Sequence, residues 1–262
     1  MAVTKTKYQE SAIVNLWNGQ GLTKDEENWR DSAERAIALL KRNGVTGTAV
    51  CVGGKHTQIT GKWLEYKRMF MTQSRVTGTS QSKVDIVIGN HRISLKNGKK
   101  TGIMSSMVEE TMAAFYSTNE HLKGRDSELE IMFKKMRRNM FTDPGLNQTQ
   151  SLKVNCPIAL DRQEHNKACT KKLNQILNEK PDIKHSLIFE GLTGQKKFGI
   201  ENAATHILHL DDGHDTFNEI NTEYIANLNV LIEQKFKSES EKKRGRKTGR
   251  YHLKHVFLIG LP

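Results

Sequence analysis

Cysteine is scarce in this chain. There are three, Cys51, Cys156 and Cys169, far apart, odd in number and without a CxxC pair. That excludes a disulfide-built scaffold, argues against a cysteine zinc site and suits a reducing, cytoplasm-like compartment, bacterial or that of an infected cell. Proline is nearly as rare, at four residues, and no Pro-rich or Gly/Ser-rich linker divides the 262 residues. No apolar run approaches the roughly 18 residues of a membrane span, and MAVTKTKYQE lacks the apolar centre of a secretory signal. There is no GxSxG elbow for Ser-His-Asp chemistry and no Walker loop; "GLTGQKKFG", residues 191–199, lacks the GxxxxGK[ST] order.

What is present in excess is positive charge. Lys and Arg number 41 against 29 Asp and Glu, a formal net charge of +12. A surplus of this size is the electrostatic footprint of a polyanion binder, most often of nucleic acid. Half of it lies between Lys237 and Lys254, with Lys242, Lys243, Arg244, Arg246, Lys247 and Arg250 at its centre. Strand-like runs on both sides make this a basic hairpin, 229–260, and Arg-Gly-Arg segments suit a minor groove. Lys196 and Lys197 are further candidate phosphate contacts.

Hydrophobic periodicity divides the chain into an N-terminal arm, 1–21, and a single α/β domain, 22–262. Thr23 with Glu26 forms a capping-box pattern, and Trp29, Ala33, Ala36, Ile37 and Leu40 follow at helical spacing. Val45–Val52 and the pair 83–88 and 91–96 are strand-like, the latter two joined by a Gly-Asn turn. Helices are expected over 104–115, over 127–141 and after Asp161. The apolar run Ser186–Phe189 is expected to be a strand ending at Glu190, 204–210 another strand, and 217–228 a helix. "HILHLDDGHD", 206–215, is histidine-rich, but His206 and His209 fall on opposite faces of a strand, which spoils a shared metal geometry.

The chemistry concentrates in "VDIVIGNHRISLK", residues 84–96. Period-two alternation gives Asp85, Ser94 and Lys96 one parity and the aliphatic residues Ile93 and Leu95 the other, so a carboxylate and a lysine can share a cleft. Phosphodiester hydrolysis uses such a pair: oxygen ligands for a divalent cation, and a cation beside the reacting phosphate.

Asp85 and Lys96 on a hairpin, within a helix-strand-strand-strand-helix-strand order over residues 24–190, resemble the PD-(D/E)xK nucleases, the restriction-endonuclease-like superfamily. "KVDIVIGNHRISLK" is also similar to nuclease-like proteins of tailed bacteriophages. The resemblance implies a restriction-endonuclease-like α/β core with a helical insertion, Mg²⁺ (Mn²⁺ as a substitute) bound by Asp85, and a water-assisting role for Lys96. It also implies double-stranded DNA as substrate, with a homodimer open. A glutamate of the first helix often joins such sites, which points to Glu34. Ser94 departs from the pattern, standing where the family has its second acid. Glu65, Glu109, Glu110 and Glu190 are candidates for a displaced one, with Glu34 or Glu190 expected to complete the metal site. The alternative is a DNA-binding or virion-assembly protein that keeps the scaffold without catalysis; RNA as substrate is a third.

Overall fold

The computed structural model describes residues 5–70, 78–98, 100–106, 108–125, 127–132, 157–239 and 250–260. In chain order the helices are α1 (Lys5–Trp17), α2 (Lys24–Glu27), α3 (Arg30–Arg42), α4 (Gly61–Phe70), α5 (Val108–Thr118), α6 (128–132), α7 (Pro157–Glu179), α8 (Pro181–Thr193), α9 (Gln195–Phe198) and α10 (Thr222–Ala226). The strands are β1 (Ala49–Cys51), β2 (His56–Gln58), β3 (Thr79–Gln81), β4 (Ile86–Ile88), β5 (His91–Asn97), β6 (Lys100–Ser106), β7 (His206–Leu210), β8 (Thr216–Glu219), β9 (Asn229–Glu239) and β10 (Arg250–Gly260).

The chain is an α/β protein built on a five-stranded mixed sheet in the order β1-β4-β5-β7-β8. Only β5 and β7 run parallel. A parallel pair needs a long crossover, here the helices between β6 and β7. The order helix, strand, strand, strand, helix, strand is therefore α3, β1, β4, β5, α5 and β7, its last strand supplied by 206–210. Residues 186–190, expected as that strand, are helical instead. Pro181 opens α8 and Gly194, left-handed at φ 65°, closes it. Leu187, Ile188, Glu190 and Leu192 are all buried. A short apolar run buried on several sides reads the same in a strand and in a core helix.

Two cores flank the sheet. On one face α1 and α3 lay Ala12, Ile13, Ala33, Ala36 and Leu40 against Ile86, Ile88, Ile93, Leu95, Leu208 and Leu210. Each large aliphatic buried there contributes about 1.5–3 kcal/mol. On the other face, helices α4, α5, α7 and α8 enclose Trp63, Tyr66, Phe115, Leu173 and Ile188 with Val84 and Ile207. Ile103, Val230 and Ile232 join this second core from a three-stranded antiparallel sheet, β6-β10-β9.

Other boundaries moved for local reasons. The Thr23 capping box is present, Thr23 Oγ1 accepting from Glu26 N and Glu26 Oε2 from Thr23 N at 2.9 Å, but its helix stops after one turn and restarts at Arg30. Residues 100–106, assigned in part to a helix, pair with β10 as β6. Helix α7 starts at Pro157, whose ring suits a first helical turn. Residues 217–228 divide into β8 and the short α10, capped by Asn221. The tight turn between β4 and β5 is confirmed: Ile88 pairs with His91 across Gly89 and Asn90, with Gly89 at φ 54°. Of the predicted helix 127–141, only 127–132 lie within the described residues.

Candidate active site

Asp85 stands one residue ahead of β4, where the chain is gripped from both sides. Its N–H donates to Ile93 O, and its carbonyl accepts from Val52 N and Gly53 N, all at 2.9 Å. Its carboxylate Oδ2 accepts from Leu95 N at 2.7 Å and lies 3.5 Å from Ser94 Oγ. Lys96, near the end of β5, donates from Nζ to Ser94 Oγ at 2.8 Å and to Leu95 O at 3.1 Å. Ser94, fully buried, thus couples the carboxylate to the ammonium. The three residues that share a parity in the sequence do meet.

The other acid at this place is Glu10, which the sequence reading did not single out. It lies on α1, in the segment read as an arm, and is buried. Its Oε2 is 3.9 Å from Cys51 Sγ on β1. Space for it is made by Gly53: a Cβ there would stand 1.9 Å from Glu10 Oε2. The signal was present in the spacing. Glu10 sits three and four residues before Ile13 and Val14, on the inward stripe of the helix, and a carboxylate on an apolar stripe is rarely buried without a reason.

Electrostatics tie the three charges together. Burial, with the nearby Asp85 charge, pushes the Glu10 carboxyl up to about 7, while Lys96 and Lys7 partly offset the rise. Burial likewise raises Asp85, against the pull of Lys96 and the Leu95 N–H. Burial lowers Lys96, opposed by Asp85 and Glu10. Lys83, buried nearby with its ammonium pushed down to about 7 by burial and by Lys96, also acts on Asp85. Two carboxylates thus face Lys96 and a second lysine that gives up its proton readily, and with Lys83 neutral the surplus negative charge favours an added cation. The donors are hard oxygens, as Mg²⁺ requires, and that ion needs only one or two carboxylates when water and phosphate complete its shell. Among the described residues no three or more His, Cys, Asp or Glu side chains are grouped as a metal cage, so the fit is to such an open, water-rich shell.

The remaining sequence candidates go elsewhere. Glu34 is on the solvent side of α3, 3.5 Å from Arg30; its position eleven residues past the capping box turns it away from the sheet. Glu190 is buried on α8, its carboxylate accepting from Lys196 N at 2.7 Å and Lys197 N at 3.1 Å. Burial pushes its carboxyl up to about 7 in spite of those two bonds. Two backbone donors of "GLTGQKKFG", those of Lys196 and Lys197, are therefore taken by the chain's own acid. Glu65 pairs at the surface with Lys123, and Glu110 with Lys67 at 2.8 Å and with Lys197. Lys197 also donates to Ser80 Oγ, whereas Lys196 is exposed. The side chain of Glu109 is outside what the structure describes, as are Lys242, Lys243, Arg244, Arg246 and Lys247. Arg250 opens β10, paired with Glu239 of β9. His206 stacks on Phe217 at 5.0 Å between centroids, while His209 is buried with Nε2 2.7 Å from Gly98 O. The two histidines do part.

No protein-family profile matches the chain, and no curated protein matches it in sequence. Among solved structures, restriction endonuclease MspI in complex with its cognate DNA is similar at a TM-score of 0.39 and 13% identity, over 95% of this chain and 87% of that one. A likeness of that size transfers no residue role. The site rests on its own geometry.

Proposed function

We propose that the protein is a Mg²⁺-dependent DNA endonuclease of restriction-endonuclease-like architecture, with Glu10 and Asp85 as the carboxylates that would hold the metal. The observation that carries this reading is geometric: Ser94 links Asp85 to Lys96, and Glu10 of α1 is buried against Gly53, whose N–H bonds the Asp85 carbonyl. When bound, the cation supplies Lewis acidity toward a phosphate oxygen and acidifies water. The chain's own part is positioning. An ammonium has three hydrogens; Ser94 and Leu95 take two of those of Lys96 and leave one for a phosphate oxygen or an attacking water. Ser94 fixes that ammonium, and Glu10 contributes from α1 the second negative charge that position 94 lacks. Double-stranded DNA is the substrate the net charge of +12 favours, and the β9–β10 hairpin with its basic connection is the arm proposed to grip it.

The test is plasmid DNA incubated with the purified chain and Mg²⁺ or Mn²⁺. The wild type is expected to nick or cut, and Asp85→Asn and Lys96→Ala to bind DNA without cutting. Equal cleavage by both variants overturns the mechanism. Salt-sensitive DNA binding with no product in either metal selects instead the non-catalytic DNA-binding or virion-assembly reading.

A further inference from the structure

Lys96 and Glu10 stand on different elements, β5 and α1, and among the described residues no hydrogen bond joins their side chains. Their spacing is therefore set by whatever ties the end of β5 to α1. Among the described residues one side-chain hydrogen bond does so. Asn97 Nδ2, from the residue after Lys96, donates to Oε1 of Gln9, the residue before Glu10, at 2.8 Å. Gln9 is itself held: it is buried, and its Nε2 donates to Ser32 Oγ of α3 at 3.2 Å.

On the other side of Asn97 is Gly98, left-handed at φ 79°, a conformation glycine adopts without strain. Its N–H donates to the carbonyl of Leu210, where β7 ends, at 2.9 Å. Its own carbonyl lies past the end of that strand, and a side chain takes the place of a ladder donor: His209 Nε2, at 2.7 Å. His209 is the register partner of Lys96 in the parallel pair β5–β7, so the two side chains leave the same face of the sheet. A carbonyl can only accept, so Nε2 carries the ring hydrogen. Nδ1 is then a bare acceptor, buried and without a hydrogen-bond partner among the described residues. Burying such a group is costly, and the one bond the ring makes in return is the bond that pins Gly98.

We infer that His209 is a positioning residue for the proposed site: through Gly98, Asn97 and Gln9 it fixes how far Lys96 stands from Glu10. The consequence for cleavage rests on the nuclease reading; the connection itself does not. His209 touches neither metal nor phosphate. Loss of its bond lets the end of β5 and α1 shift against each other, and a misplacement of about 1 Å in such a site costs on the order of 10²-fold in rate.

Two replacements separate the bond from the ring. Glutamine sets an amide N–H near the place of Nε2, whereas asparagine sets one near Nδ1 and falls short of Gly98. Gln9→Met cuts the same connection from α1 at similar volume. In plasmid cleavage with Mg²⁺, His209→Asn and Gln9→Met are each expected to lower kcat about tenfold or more with KM within about twofold. The double variant is expected to lose no more than the worse single one, and His209→Gln to keep most of the wild-type rate. Equal losses in His209→Gln and His209→Asn, or losses that multiply in the double variant, overturn the proposal. Amide hydrogen exchange of the full chain, without metal or DNA, reads the connection directly. The Gly98 N–H is expected to exchange about tenfold faster in Gln9→Met than in the wild type, and unchanged protection overturns the proposal. A wild type that does not cut refutes the nuclease reading alone, and the exchange result then decides whether the connection exists.

Discussion

At the residue scale, the proposal turns on Glu10, the acid proposed to stand in for the one that Ser94 lacks. Two predictions belong here. Gly53→Ala places a methyl group on Glu10 Oε2, so cleavage should fall on the order of 10²-fold or more, as when one electrostatic partner is removed; activity measured at matched folding by circular dichroism checks it. The second concerns pH. Glu10 has a folded pKa of about 7 against an ordinary value of 4.5, so the folded chain holds that proton more tightly than the unfolded one. The stability from this group is present below about pH 4.5 and is lost as pH rises toward 7. Glu190 acts with the same sign. A divalent cation binds the ionised carboxylates, so Mg²⁺ should raise the melting temperature more at pH 8 than at pH 5.5 (~1 unit either side of the titration). An equal rise at both values contradicts the assignment of Glu10 as a ligand.

At the element scale, the hairpin was legible and the first helix was not. Alternation in 84–96 sufficed to place Asp85, Ser94 and Lys96 together, because register in a two-residue hairpin is set locally. Lys5–Trp17 was hidden because its inward stripe mixes Gln9 and Glu10 with Ile13 and Val14, and burial of the polar members depends on partners remote in sequence. Gln9 accepts from Asn97 Nδ2 at 2.8 Å, and Glu10 needs the gap at Gly53. Helix α8 was misread for the opposite reason: it is apolar on so much of its surface that no period shows. The element-scale prediction concerns how α1 is anchored. Buried Glu26 accepts from Asn15 Nδ2 at 3.1 Å as well as from Thr23 N, joining α1 to α2. Thr23→Ala should cost about 0.5–2 kcal/mol, read by urea denaturation, while leaving the sheet intact. Asn15→Ala should depress cleavage more than its cost in stability explains, since it loosens the helix that carries Glu10.

At the scale of the whole molecule, charge and architecture divide the work. The sheet and its two cores fix the carboxylates and Lys96, and basic surface supplies attraction to a polyanion. Because that attraction arises from counterion release, DNA affinity should fall steeply with salt in the wild type and in Asp85→Asn alike. Replacing 240–249 by a two-residue turn should flatten the salt dependence and leave cleavage of a tightly bound substrate possible at low salt. An unchanged slope would remove the hairpin from the DNA contact. Among the described residues no helix is long and apolar enough to cross a membrane, and none of the predictions needs one.

The central claim, that Glu10 and Asp85 jointly hold a divalent cation beside Lys96, is tested most directly by anomalous diffraction from crystals soaked in Mn²⁺. One peak is expected between the two carboxylates, lost in Glu10→Gln. A peak at Asp85 that persists unchanged in Glu10→Gln, or a peak elsewhere with none at Asp85, would contradict it.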